Sequence, residues 1–274
     1  MTSLDADVMR RALGNEARSR LATFDAFAEI ESTNTFLMEQ DGPLPGQVCV
    51  AVTDNQTMGR GRHGRTWLAP AGSGLCLSLA YTFAEPPERL SALTLAVGVG
   101  VIDALEQAGV GGVQIKWPND LIANDGKLGG ILTESQPQKS GAVKVVTGVG
   151  LNVDIGRDFD LGSEADQERR VADLAGLAGT VPDRNALAAG LIDSLSAVFA
   201  GFETGGFAAY AERWSQRDWL LGRELTVDTP QQQVTGRGVG IADDGALLLD
   251  VGGSVVRRIT SGSVILAGFR EAVE

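Results

Sequence analysis

Gly59-Arg60-Gly61-Arg62-His63-Gly64-Arg65-Thr66-Trp67 is the stretch on which the choice of fold turns. Its glycines match the dinucleotide fingerprint G-x-G-x-x-G, and the apolar run before it, residues 48–52, reads as the strand such a fingerprint follows. The fingerprint must also open a helix, because the helix N-terminus binds the pyrophosphate. Here the chain continues Thr66-Trp67-Leu68-Ala69-Pro70-Ala71-Gly72, a poor helix start. Arginines also stand between the glycines, where close packing under a helix calls for small side chains. The stretch argues against a doubly wound dinucleotide fold and for a loop that wraps an anion. Glycine lets backbone N–H groups approach a ligand, and arginine supplies a planar cationic fork matched to carboxylates and phosphates. The bland alternative for this segment alone is a solvated basic loop without a ligand.

The chain around the loop is acidic. Its 23 Lys and Arg face 35 Asp and Glu, a net charge of −12. A broad positive field for nucleic acid or an anionic membrane is therefore missing, and the loop must face something smaller. A length of 274 residues allows one large domain or two smaller ones. Cys49 and Cys76 sit in apolar runs and read as buried, reduced thiols. Two cysteines and one histidine, His63, give no zinc spacing, so no metal site built directly by the protein is expected. His63 has no Ser, Cys or Asp framework around it and is not read as a general base. The first twenty residues lack the apolar segment of a secretory signal, and no run of about 18 apolar residues is visible. A cytoplasmic protein without membrane contact is expected.

Outward from the loop, residues 1–21 read as an N-terminal arm or short helix. Residues 23–30 partly alternate as a strand, and Ser32-Thr33-Asn34 starts a helix that the Pro/Gly segment 41–46 ends. Residues 75–81 read as a strand and 89–108 as a helix. Asn124-Asp125-Gly126 reads as a hairpin turn, with Asp125-Gly126 suited to the φ > 0 positions of a type I′ turn. Residues 127–134 form the returning strand and 143–153 its neighbour. Asp183 can cap a long helix from Arg184 to about residue 202, and a second helix covers 207–217. After Gly222 short strands alternate with Asp/Gly turns and no helix signal remains, which reads as a small β-barrel. From the residues alone, a large α/β domain is expected over residues 22–219 and a small all-β domain over 220–274.

Other segments gain meaning from their order. Lys116-Trp117-Pro118-Asn119-Asp120 reads alone as an edge charge followed by a turn. Lys127 precedes Gly129-Gly130, and a strand lysine above a glycine floor can place its ammonium in a pocket; the alternative is a solvent-facing lysine. Gly148, Gly150 and Asn152 recur at period two on one face of a strand, leaving a groove into which Asn152 would point. Trp67, just past the loop, can cover a flat ring or simply pack in a core.

Taken together, Ser32-Thr33-Asn34, Gln56, the Gly/Arg loop with Trp67, Lys116-Trp117-Pro118-Asn119-Asp120, Lys127-Leu128-x-Gly130-Ile131-Leu132 and Gly148-x-Gly150-x-Asn152 resemble the motif series of biotin protein ligases over about residues 25–270. The resemblance implies an α+β fold: a large mixed-sheet catalytic domain with flanking helices, like that of class II synthetases and SH2-like in arrangement, plus a small SH3-like C-terminal β-barrel. It implies ATP and Mg²⁺ as cofactors and biotin as substrate. Biotinyl-5′-AMP would form first, followed by transfer to a lysine of the biotin carboxyl carrier protein domain of acyl-CoA carboxylases.

Carried over, Ser32, Thr33, Asn34 and Gln56 should hold biotin, together with Arg60, Gly61, Arg62, Lys127 and Gly130. Arg60, Arg62, Trp67, Asn119, Lys127 and Asn152 should bind ATP and the adenylate, with Trp67 shielding adenine and Asn152 serving the phosphates or Mg²⁺. Arg62, Lys127, Lys116 and Asp120 are the expected catalytic residues, with Asp120 as acceptor of the incoming lysine's proton. Relatives that repress biotin synthesis carry an N-terminal winged helix-turn-helix, for which residues 1–31 are too short; a monofunctional ligase without DNA binding is expected. The alternatives are a lipoate or octanoate ligase or transferase on a related fold, and a non-catalytic anion-binding module.

Overall fold

The computed structural model describes residues 3–156 and 171–266. Seven strands, β1 (Leu21–Phe27), β2 (Val48–Thr53), β3 (Gly74–Phe83), β4 (Gln114–Lys116), β5 (Asp120–Ala123), β6 (Gly126–Pro137) and β7 (Val143–Asn152), form one sheet. Its order is β1-β2-β3-β7-β6-β5-β4. Only β1 and β2 pair in parallel; the other five pairings are antiparallel. The sheet is thus mixed and not doubly wound, as the rejected fingerprint requires.

The central strands β2 and β3 are buried at every residue, because both faces are covered. Alternation assigns the faces. Val48, Val50 and Val52 join the main core, whereas Cys49 and Ala51 join a smaller cluster with Leu37 of α3 (Thr33–Glu39). On the main-core side lie α4 (Leu93–Gln107) and a long helix (Arg184–Gly205), capped at its start by the Asp183 carboxylate, which accepts from the Asn185 and Ala186 N–H groups. Both cysteines are buried free thiols.

Several expectations need adjustment. Residues 6–12 and 15–20 form two short helices, α1 (Ala6–Ala12) and α2 (Asn15–Arg20); Met9 of the first, Ala17 of the second and Leu13 between them are buried. The β5–β6 turn uses Asn124 and Asp125, at φ 49° and 57°, one residue earlier than expected. The reason is register: Ala123 pairs with Gly126, which leaves those two residues as the loop, and both tolerate the left-handed region. With α5 (Leu174–Ala178) counted and the long helix as α6, the helix expected over 207–217 is split. Gly206, at φ 56°, ends α6; a 3₁₀ turn at Gly206–Ala209 follows, and Tyr210, at φ −117°, separates it from α7 (Ala211–Ser215). Residues 90–107 and 184–209 contain no unbroken apolar run of about 18 residues, yet by length and mean hydropathy they could span a membrane. Their most apolar windows are 67% and 61% buried within the protein, so core packing accounts for their composition.

The C-terminal strands β8 (Glu224–Asp228), β9 (Gln233–Ile241), β10 (Leu247–Asp250), β11 (Val256–Ile259) and β12 (Ser263–Leu266) form an antiparallel sheet in the order β11-β10-β9-β8-β12. Its apolar side, including Leu225, Val227, Leu247 and Leu249, is continuous with the main core.

Candidate functional site

A cavity of about 1100 Å³ opens between the seven-stranded sheet and the C-terminal sheet. Among its lining residues are Ser32, Thr33, Asn34, Gln56, Arg60, Gly61, Arg62, Trp67, Lys116, Asn119, Asp120, Lys127 and Gly130. Motifs spread over a hundred positions of sequence therefore converge on one concave surface.

On one side, Ser32 caps α3 and its Oγ accepts from the Thr35 N–H at 3.4 Å. The next two side chains start a continuous polar chain. Gln56 Oε1 accepts from the Thr33 N–H at 2.8 Å and from Thr33 Oγ1 at 3.2 Å. Thr33 Oγ1 lies 2.7 Å from Ser78 Oγ, which donates to Asn34 Oδ1 at 2.7 Å. Asn34 Nδ2 donates to Glu134 Oε2 at 3.1 Å, and Glu134 takes a two-point ion pair from Arg60, at 2.8 and 3.2 Å. Thr33, Asn34 and Ser78 are nearly fully buried, so their hydrogen bonds fix their rotamers. A polar molecule entering this corner meets groups already oriented.

The Gly/Arg loop is a small hairpin, not a helix start. Trp67 N–H donates to Gly59 O at 2.9 Å and Gly61 N–H to Arg65 O at 2.7 Å, while His63, at φ 56°, forms the exposed tip. Trp67 lies across the glycines of β7: a Cβ at Gly150 would stand 2.5 Å from Trp67 Cε2. The expected groove on that face is thus filled by Trp67, and at Gly148 by Asn34. Arg62 turns inward and donates to Asn119 Oδ1 at 3.4 Å. Burial pulls its pKa down, Asp120 pulls it up, and Arg65 pulls it down again; an arginine stays cationic in such surroundings. Arg65 reaches Ser263 Oγ of β12 at 3.2 Å.

Facing the loop, Lys127 Nζ lies 2.7 Å from Asp120 Oδ1. Asp120 is opposite Gly130, and a register shift between Leu121 and Ile122 sets Lys127 opposite Ile122, within diagonal reach on the same face. Lys127 Nζ also stands 5.9 Å from the centre of the Trp67 ring. Asn119 Nδ2 donates to Ile131 O at 3.0 Å, which holds the β4–β5 turn against β6. Lys116 Nζ is 5.8 Å from the Trp219 ring centre, and Trp219 Nε1 donates to Asp125 Oδ1 at 3.3 Å.

Asn152 is placed differently from the expectation. It is 5% exposed and does not line the cavity. Its Nδ2 donates to Lys127 O and Ala172 O, both at 3.1 Å. The period-two reading put it on the right face of β7, but two buried carbonyls needed a donor, and Asn152 satisfies them. It ties the backbone of Lys127 to that of Ala172.

Four contributions were missed. Ser78 is the polar member of the apolar run Leu75-Cys76-Leu77-Ser78-Leu79, a signal that was readable. Glu134, the partner of both Asn34 and Arg60, is an acid two residues beyond the Ile131-Leu132 motif and carries no pattern of its own. Trp219 and the C-terminal segment Gly262–Ile265 line the far wall, and nothing local in the sequence ties them to the loop. Burial pushes the Cys76 thiol, also on the cavity wall, up to about 12, so it is present as a neutral thiol.

Comparison with known proteins agrees with this geometry. Residues 26–152 match the Biotin/lipoate A/B protein ligase family, and residues 220–267 match the Biotin protein ligase C terminal domain. The chain is 35% identical over 253 residues to the biotin--[acetyl-CoA-carboxylase] ligase of Mycobacterium tuberculosis, covering 88% of each chain. It is 35% identical over 231 residues to the bifunctional ligase/repressor BirA of Escherichia coli, covering 82% of this chain and 68% of that one. The biotin protein ligase of Aquifex aeolicus, solved in complex with biotin and ATP, superposes with a TM-score of 0.74 at 27% identity, covering 90% of this chain and 100% of that chain. Motifs, cavity and relatives agree: the chain belongs to the biotin protein ligase family.

Proposed function

We propose that this protein activates biotin with ATP and transfers it to the carrier lysine of acetyl-CoA carboxylase. The observation that carries the reading is the convergence of Lys127, Arg62 and the Gln56–Arg60 polar chain on one cavity. The family description spans biotin and lipoate, so it does not choose between them. The Gly/Arg loop with Trp67 favours biotin, as do relatives named biotin ligases.

In the first step a biotin carboxylate oxygen attacks the α-phosphorus of ATP, the bond to the β,γ-phosphates breaks, and pyrophosphate leaves. Two anions must meet, and negative charge grows at the α-phosphorus. Arg62 and Lys127, both on the cavity wall, supply the cations that offset that charge. The carboxylate is itself the nucleophile, so no Ser or Cys nucleophile is required. The buried groups Thr33, Asn34 and Ser78, with Gln56, supply fixed donors and acceptors for the polar head of biotin. Trp67 presents a flat apolar surface beside Lys127 that suits the adenylate.

In the second step the carrier amine attacks the carbonyl carbon of the mixed anhydride, AMP leaves, and the amine loses a proton. Asp120 is the carboxylate nearest Lys127, and its Oδ1 is engaged by that ammonium. Its first task is therefore to aim Lys127; taking the proton would fall to its second oxygen. Lys116, on the same wall, adds positive charge near the leaving AMP.

Among the described residues no group of three or more His, Cys, Asp or Glu could hold a metal ion. Mg²⁺ would be brought by ATP and would supply charge neutralisation for the leaving pyrophosphate. The net charge of −12 supports a ligase that does not bind DNA; tight, sequence-specific operator binding in a gel shift at physiological salt would contradict it. The transfer itself is tested by intact mass of a carboxylase carrier domain after incubation with protein, ATP, Mg²⁺ and biotin. One biotinyl adduct on a single lysine is expected, and an unmodified carrier would overturn the reading.

A further inference from the structure

Arg184, the first residue of α6, is only 3% exposed. A buried cation at a helix N-terminus is doubly unfavourable, because it loses water and opposes the helix dipole. Its Nη1 has two partners: it donates to Asp54 Oδ2 at 2.8 Å and to Gly72 O at 2.7 Å. Asp54 is the residue after β2, and Gly72 stands two residues before β3. These are the two feet of the segment that carries Gln56, Arg60, Arg62 and Trp67. The feet also touch directly, Gly72 N–H to Asp54 O at 3.1 Å.

We propose that Arg184 is a positioning residue for the cavity: from the rigid core helix α6 it clamps both feet of the 55–71 loop and so sets where Arg60, Arg62 and Trp67 stand. A loop with pinned feet has less freedom to lose when it closes on a ligand, so the clamp lowers the entropic cost of binding. The link to substrate affinity rests on the biotin-ligase reading; the clamp itself does not.

The test uses Arg184→Met, Arg184→Lys and Asp54→Asn in the full chain. Thermal melts report folding, and timed trypsin digestion without ligand reports cleavage after Arg60, Arg62 and Arg65. Biotin-dependent ATP–pyrophosphate exchange gives KM and kcat. Arg184→Met is expected to speed loop cleavage at least about fivefold while cleavage elsewhere changes by less than about twofold. The KM for biotin should rise by at least about fivefold, more than kcat falls, and Arg184→Lys should recover part of the loss. Asp54→Asn should shift both readouts in the same direction, and the double variant with Arg184→Met should be no worse than Arg184→Met alone, because Arg184→Met already removes the Asp54 contact along with the Gly72 one. Loop cleavage and KM within about twofold of wild type in folded Arg184→Met, or cleavage rising equally at all sites, would overturn the clamp. If Arg184→Met does not fold, Asp54→Asn decides alone, and unchanged loop cleavage overturns the proposal. If the wild type shows no biotin-dependent exchange, the biotin reading fails while the digestion still decides the clamp.

Discussion

Lys127 Nζ and Asp120 Oδ1 stand 2.7 Å apart on neighbouring strands, and both side chains line the cavity. At 31% and 25% side-chain exposure the pair is half-open to water, so it adds little to stability. Its effect is to hold a flexible ammonium in one place. Lys127→Ala is expected to cut the rate of adenylate formation by at least about tenfold, equivalent to roughly 1.4 kcal/mol of barrier. Single-turnover formation of biotinyl-AMP measures it, and Arg62→Ala should behave likewise. A rate within about twofold of wild type would remove the assigned role.

The glycines facing the cavity are not equivalent. At Gly150 a new Cβ would press on the Trp67 ring, at 2.5 Å from Cε2 and 2.8 Å from Cζ2. At Gly130 the nearest atom is Trp67 Cζ3 at 3.6 Å, an ordinary contact. Gly150→Ala should therefore displace Trp67 and weaken ATP binding by about tenfold, whereas Gly130→Ala should change it by less than about threefold. Titration calorimetry with ATP, Mg²⁺ and biotin distinguishes the two, and equal effects would contradict the placement of Trp67.

Glu134 joins Asn34 to Arg60. Glu134→Gln keeps an acceptor for Asn34 and removes the charge that holds Arg60. The expected result is a rise of about three- to tenfold in the biotin KM with kcat little changed, since the contact acts on binding and not on the reacting atoms. Steady-state exchange kinetics at saturating ATP check it.

Asp218, beside the cavity residue Trp219, is buried, and its Oδ2 has no hydrogen-bond partner among the described residues. Burial pushes its pKa up to about 6, against N–H bonds from Leu220 and Leu221. A carboxyl group raised in the folded state binds its proton more tightly there than in the unfolded chain. Its contribution to stability is therefore most favourable below the unfolded value near 4, and declines as pH rises through about 6. Asp218→Asn removes that penalty and keeps an oxygen for the Leu220 N–H. Melts should show the variant more stable than wild type at pH 7.5, by on the order of 2 kcal/mol, with the gain gone at about pH 4. A gain independent of pH would contradict the account.

Much of the site was legible in the sequence because its chemistry is carried in short motifs whose residue types are unusual for their positions. Arginines between glycines, and a lysine before paired glycines, have few structural explanations. The architecture was legible for a similar reason: a loop that could not start a helix ruled out the doubly wound sheet, and Asp183 marked the start of α6. The misplaced readings concern long-range satisfaction of polar groups. Alternation put Asn152 on the groove face of β7 but gives only the face and not the partner. The carbonyls of Lys127 and Ala172, distant in sequence, take its amide. Glu134, Arg184 and the Gly262–Ile265 wall were invisible for the same reason, since each acts on residues more than 70 positions away. The turn at Asn124-Asp125 was shifted by one residue because strand register, set by pairing across the sheet, outranks the local preference for Asp-Gly.

The most direct measurement of the central claim is ATP–pyrophosphate exchange with biotin and with lipoate as competing acids. The account predicts exchange that requires biotin, is not supported by lipoate, and falls at least about tenfold in Lys127→Ala. Exchange driven by lipoate, or biotin-driven exchange indifferent to the loss of Lys127, would contradict it.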